Sequence, residues 1–362
     1  MSMGGRLAVA AAALAIVTGA GSAQAAGELK QIGSIAIPSG PTKGFDITWV
    51  DQKTQRVFLA DRDHGTVDIF DGNNDTYIGS VSGFVGPHMV NGKVDPDTSG
   101  PAGVVVYGDT AWLGDGDSTA KEVDLKTMKI VASISTGGTH RFDEIAYDPK
   151  DHVLAGGNGD DDPPFATLIS TTEKKVIAKI PFEHATDGLE QPAWNPVDGN
   201  FYFSVPELDK DVQKNAVAVI SPKGKLVKMM PVTGCHPNGI VFGPGENLML
   251  GCSAKGDAGM PPVIVIINWK TGKVVATIPG AGGADEIAYS KKNHQYYTGS
   301  AGMKAVFVID AITNKLVQKI HFPEGKGRTH SVAASDVTGK VFIPESTDHD
   351  GCGCMGVWAP AK

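Results

Sequence analysis

Long apolar runs are missing from this sequence beyond residue 26, so no membrane span is expected in that part of the chain. Basic clusters are missing too. Lys and Arg number 32 against 40 Asp and Glu, a formal net charge of −8. Such a chain is poorly suited to hold nucleic acid or an anionic membrane. Cysteine is scarce, with four in 362 residues, too few for a scaffold built on disulfides. No Gly-rich phosphate loop follows a strand and opens a helix, and no Cys-x-x-Cys-His or Gly-x-Ser-x-Gly is present. Haem, nucleotide and flavin are therefore not expected. What the chain has is 46 glycines, 22 prolines and 41% hydrophobic residues. That balance fits a globular chain rich in turns rather than a disordered one.

Residues 1–25, MSMGGRLAVAAAALAIVTGAGSAQA, read as a signal peptide. Arg6 supplies the positive start, Leu7 to Val17 the short apolar core, and Ala23-Gln24-Ala25 the small-x-small cleavage pattern. A membrane anchor fits less well, because the core is short and alanine-rich. Cleavage before Ala26 leaves a mature chain of 337 residues, residues 26–362, expected to be periplasmic or secreted. Export also permits disulfides.

The mature chain is one repeat read seven times. The units open on FDITW (from Phe45), AGVVV (Ala102), DEIAY (Asp143), EQPAW (Glu190), NGIVF (Asn238), DEIAY (Asp285) and HSVAA (His330). Aligned on the third residue, their spacings are 57, 41, 47, 48, 47 and 45. A period in the forties with four strands per unit is the signature of propeller blades. A polar turn such as DPKDH follows each first strand. Second strands (RVFLA, FYFSV, QYYTG), apolar third strands (VAVIS, VIVII, VFVID) and fourth strands after a lysine-bearing turn (KVIAKIP, KLVQKIH) complete the unit. Short runs of Val, Ile, Phe and Tyr between turn residues are strand signals. The last unit stops after its third strand, GVWAP. Residues 29–38, LKQIGSIAIP, carry the missing fourth-strand pattern. The expected fold is thus an all-β, seven-bladed propeller of four-stranded antiparallel blades. Its N-terminal strand completes the last blade and removes the exposed sheet edges. Residues 82–99 add a Gly/Pro/Asp-rich loop on one face.

These units resemble the forty-residue YVTN-type β-propeller repeats of secreted and periplasmic bacterial proteins. Tyr296-Tyr297-Thr298-Gly299 and Phe58-Leu59-Ala60-Asp61 sit where that family has its signature tetrad. The resemblance covers nearly all of the mature chain and implies the fold. The family includes binding proteins, and related seven-bladed propellers include lactonases and lyases, so the likeness does not choose an activity.

First strands line the central channel of a propeller, and the residues before them gather at its mouth. That position holds Phe45, Ala102, Asp143, Glu190, Asn238, Asp285 and His330; the next holds Asp46, Gly103, Glu144, Gln191, Gly239, Glu286 and Ser331. Carboxylates at one level repel, so a proton or a cation must compensate. Asp143, Glu190, Asn238 and Asp285 offer oxygen ligands for a divalent cation such as calcium or magnesium. A histidine in the set favours zinc or another transition metal. This arrangement is analogous to the Glu/Asn/Asp metal site of the six-bladed gluconolactonase-type propellers. A hydrated structural channel is the competing reading.

The loops between second and third strands should share this face. They are long and acidic, among them ADRDHG, GDGDST and GGNGDDDPPF. A small molecule or a protein partner is expected there, on a monomer. Asp115-Gly116-Asp117 and Asp160-Asp161-Asp162 are weaker calcium candidates without EF-hand spacing. Cys235 and Cys252 fall at the same end of a hairpin and can form a disulfide. Cys352 and Cys354, a Cys-Gly-Cys near His349, read as a disulfide, a soft-metal pair or partners of other cysteines; export favours oxidation. The leading functional expectation is an exported binding protein. The alternative is a metal-dependent, lactonase-like hydrolase or a lyase, with His330, His236, Glu144 and Glu286 as the candidate proton-handling groups.

Overall fold

Apart from Met1, the computed structural model describes residues 26–254, 259–283, 285–322 and 328–361. The leader, residues 2–25, lies outside the described residues. Seven four-stranded antiparallel sheets form the molecule, each with its strands in chain order except the last. In blade 1 the order is Phe45–Val50, Arg56–Asp61, Thr66–Asp71 and Thr76–Ser82. The seventh blade runs Ala333–Ala334, Val341–Glu345 and Cys354–Pro360, and Leu29–Ile35 supplies its outer strand. Leu29 pairs with Pro360 and Ile35 with Met355, as the unpaired fourth-strand pattern of the N-terminus required. Each innermost strand touches the innermost strand of the next blade, and the seventh touches the first, so the ring is closed.

The blades form because the strands are buried on both faces in the middle of each sheet. Asn215–Ile220 and Phe201–Val205 are buried at every position. Outer strands alternate instead. Lys129–Ser135 and Lys175–Pro181 bury every second residue at least in part and send the others to water. The buried apolar side chains fall into seven clusters among the described residues, one in each seam between neighbouring blades. Stacking blade on blade thus supplies the core, since a single sheet has no layer of its own to pack against.

The turn chemistry repeats as well. Asp71, Asp124, Asn268 and Asp310 each accept the amides two and three residues on. Four residues after each of them the chain enters the left-handed region, at Asp75, Met128, Gly272 and Asn314. The side-chain carbonyl or carboxylate thereby closes the hairpin between third and fourth strands.

Two third strands depart from the apolar pattern. Asp68 is buried in blade 1, where it accepts from the Tyr77 hydroxyl at 3.1 Å, and Lys121 is buried in blade 2 beside Asp115. Lys121 meets a carboxylate there, whereas burial and then the neighbouring Asp61 raise the Asp68 carboxyl to about 7. Residues 82–99 are more ordered than a plain loop: Met89–Val90 and Lys93–Val94 pair as a small hairpin, followed by a 3-10 turn over Pro96–Thr98.

Removing Leu29–Ile35 should expose the edge of Cys354–Pro360. The truncated chain should melt lower and self-associate, read by scanning calorimetry and sedimentation. A truncated chain with an unchanged midpoint would show that three strands suffice for the seventh blade.

Candidate functional site

Every innermost strand starts on the same face of the ring, so the residues at and before these starts converge. Asp46, Asp143, Glu144, Glu190, Asp285, Glu286 and His330 meet at this mouth, and five of them interact through two overlapping groups. Asp46, Asp285 and His330 offer ligand atoms within 4.8 Å of one another, and so do Glu144, Glu190 and Asp285. The groups mix the two sequence positions: Asp285, His330 and Glu190 open their units, and Asp46 and Glu144 stand one residue further on.

Two arginines sit among these acids. The Arg62 guanidinium bonds the Asp46 carboxylate, and His330 approaches the other Asp46 oxygen at 3.4 Å. Burial works to raise the Asp46 carboxyl pKa, but Arg62 and His330 outweigh it and hold Asp46 below the ordinary value. The His330 ring stacks on Phe45, with centroids 5.1 Å apart, which fixes its plane. Arg141 bonds Asp143 through Nε at 2.7 Å and reaches Asp160 at 3.4 Å. Its Nη1 donates to the Pro96 carbonyl at 2.9 Å, so the extra hairpin segment of blade 1 clamps it. Burial opposes its charge, yet Asp143, Asp160 and Asp46 keep it firmly protonated. Neither arginine belongs to the repeat register, and the pattern of strand starts does not reveal them. Composition offers a signal: arginine makes up only five of the 32 basic residues, and two of the five stand here.

The arginines leave one group uncompensated. Among the described residues no lysine or arginine lies within ion-pair distance of Glu144, Glu190 or Asp285. Burial and then mutual repulsion push Glu144 and Glu190 well above the ordinary carboxyl range. Burial raises Asp285 too, against the pull of His330. Glu144 Oε2 is buried without a hydrogen-bond partner among the described residues. Deeper in the channel, Glu286 Oε2 accepts from the amides of Thr48 at 3.1 Å and Val332 at 3.3 Å, and from the Ser331 hydroxyl. It ties the inner strands of blades 6, 7 and 1 together, and burial pushes its carboxyl up to about 8.

The other candidate residues are placed as follows. Asp143 is taken up by Arg141, and Asn238 Oδ1 accepts from the Ser253 hydroxyl at 2.6 Å. His236 is buried apart from the central groups, with Nε2 2.9 Å from Asp187, and Glu207 completes a separate group of possible ligands. Cys235 and Cys252 stand at disulfide distance, Cα atoms 5.0 Å apart, and so do Cys352 and Cys354 at 5.2 Å. The soft-metal and cross-paired readings of Cys352 and Cys354 thus give way to their own bond; the His349 side chain lies outside the described residues. Asp115 is occupied by Lys121 and by the amides of Val85 and Gly116, and Asp161 by Thr139. The protein's own donors thus engage these loops, apart from Asp161 Oδ2, which is buried without a hydrogen-bond partner among the described residues.

The raised carboxyls fix the sign of the pH dependence. Glu286 holds its proton up to about 8, against 4.5 when free, so the native chain binds more protons than the unfolded one between these values. Its contribution is complete below about pH 4.5 and is lost as pH rises through 8. Asp160, raised to about 6, and Asp68, raised to about 7, act in the same direction. Metal-free protein should therefore melt highest near pH 5 and lower towards pH 8. Glu286→Gln should flatten that fall by an amount on the order of a few kcal/mol. A midpoint that rises from pH 5 to 8 in chelator would contradict the buried, proton-holding mouth.

Comparison of the sequence with protein-family models and with curated proteins gives no match. Among solved structures, hydrazine synthase of Kuenenia stuttgartiensis is similar in fold, with a TM-score of 0.68 at 14% identity over 87% of this chain and 95% of that one. At that identity the likeness concerns the fold alone, and it agrees with the seven-bladed propeller built above.

Proposed function

We propose that the chain is an exported binding propeller whose channel mouth holds one divalent cation on Glu144, Glu190 and Asp285. The observation that carries this is the charge balance. Arg62 and Arg141 are taken up by Asp46 and Asp143, while Glu144, Glu190 and Asp285 offer oxygens within 4.8 Å of one another with no lysine or arginine at ion-pair distance among the described residues. Oxygen donors in a buried site suit a hard ion such as calcium or magnesium. The cation would turn the mutual repulsion of the three carboxylates into attraction and would satisfy the orphaned Glu144 oxygen. Export rests on the leader pattern of residues 1–25, on the resemblance to YVTN-type repeats and on the two cysteine pairs. Among the described residues no helix is long and apolar enough to cross a membrane.

A second reading follows from Asp285, which belongs to both groups. It sets the His330–Asp46 pair beside the proposed ion. A histidine oriented by a carboxylate can accept a proton while the ion polarises a carbonyl, the minimum for a lactonase-like hydrolase or a lyase. Turnover of a lactone panel, abolished by EDTA and restored by one metal, would put this reading first.

Metal analysis of the purified mature chain should find one bound divalent ion. Chelation should lower the melting point at pH 7.5. Saturating metal at a hundred times its dissociation constant should restore about 2.7 kcal/mol. Glu190→Gln should raise the midpoint of the chelated protein and abolish the metal-induced gain. Purified protein without metal, and with a midpoint indifferent to EDTA, would remove the cation site.

A further inference from the structure

The channel does not end at the acidic mouth. Below it a cavity of about 340 Å³ runs along the axis towards the opposite face. Its chemistry follows from the five-residue strand openings read in order. The second position supplies its polar end: Glu144, Gln191 and Glu286. The third position makes an aliphatic waist, with Ile or Val in six of the seven openings. The fifth position supplies Trp49, Tyr147, Trp194, Phe242 and Tyr289, five aromatic rings in the same register. The other two blades have Val106 and Ala334 there.

This aromatic end is open and braced. Trp49 is 37% exposed, so the rim reaches solvent. Phe242 packs edge-on against Tyr202 and Trp269, Tyr289 lies tilted against Tyr296, and the Tyr147 hydroxyl meets His152 Nδ1 at 3.0 Å. Rings that merely plugged the channel would leave no void among them. Here a void remains, and one of its wall residues, Glu144, is 6% exposed with Oε2 lacking a partner among the described residues.

We propose that this cavity binds a small organic ammonium ion, which enters through the aromatic rim with its body among the rings and its charged head towards Glu144. Aromatic faces attract a cation through their quadrupoles, most strongly where water is excluded. The unpartnered Glu144 oxygen at the polar end completes the attraction, whereas Gln191 Oε1 and Glu286 Oε2 are already held by the amides of Ile240, Thr48 and Val332. A neutral ligand of the same shape would gain the apolar contacts but leave the carboxyl unanswered. The volume lies at the small end of the range for ligand pockets, which sets the size of the guest. The net charge of −8 favours the approach of a cation over long range. The inference shares only Glu144 with the proposed metal site and does not depend on an ion being there.

The test is calorimetric titration of the mature protein in EDTA with benzylammonium chloride and, separately, with benzyl alcohol at the same ionic strength. Benzylammonium should bind at least tenfold more tightly. Glu144→Gln should bring the two ligands within about threefold of each other, while Trp49→Ala should weaken both. Because chelator is present throughout, these results stand apart from any loss or gain of metal. Should Glu144→Gln fail to fold, Trp49→Ala and Trp194→Leu still report the cavity, since each should weaken benzylammonium at least fivefold. Equal affinity for the two probes would overturn the proposal. So would undetectable binding at millimolar concentration, or a preference untouched by Glu144→Gln and by both tryptophan variants.

Discussion

Closing seven copies of one unit around an axis forces the same sequence position from every blade to the same depth. That constraint governs the rest of the molecule. An acid before a first strand is harmless in one sheet, but repeated around the ring it becomes a buried concentration of like charge. DEIAY occurs in blades 3 and 6, and its Asp-Glu pairs, with Glu190 and Asp46, bring six carboxyls to one mouth. Without compensation such a set must hold protons or weaken the fold. The chain answers twice with arginine, at Arg62 and Arg141, and leaves the third group to protons or an ion. Arginine suits the task because it does not deprotonate when buried and offers several donors in a fixed plane.

Much of the architecture is legible because it is periodic. The blade count and the closing N-terminal strand follow from spacing, and the sheet order agrees with both; Cys235 and Cys252 stand at disulfide distance, while in four blades the innermost strand begins only at the third residue of the opening, at Val104, Ile145, Pro192 and Ile287. The compensating partners are not periodic. Arg141 is fixed by Pro96 and Asp97, residues of an insertion present in one blade only. No comparison of repeat with repeat can find such a contact. Asp143 and Asn238 occupy the expected level of the ring, yet Arg141 claims one and Ser253 the other. Sequence position sets how deep a side chain starts; its neighbour decides where it turns.

His236 shows the same limit in the backbone. It opens the strand His236–Phe242 and pairs with Ser253, but the register shifts between Pro237 and Ile240. A bulge of this kind re-aims the residues before it. His236 is thereby committed to Asp187 and Glu207, while His330, stacked on Phe45, stays with the central group. His236 stands two residues before the opening NGIVF, whereas His330 is the first residue of HSVAA, so the two histidines start at different levels and serve separate clusters.

The five-residue openings also explain how one channel carries two unlike ends. Strand residues advance along the axis, so each position of the opening writes one level: acids at the first and second, aliphatics at the third, rings at the fifth. Because blades repeat, a preference at one position is multiplied around the circumference without touching the levels above and below. Charge can therefore collect at the mouth and aromatic surface at the rim, with an aliphatic waist between them. Only side chains long enough to cross levels connect the two ends. Glu144 is such a residue: it belongs to the uncompensated acids at the mouth and also lines the cavity beneath them. A change of charge at Glu144 must be felt at both ends, whereas a change at Trp49 or Asp46 stays local to its own level.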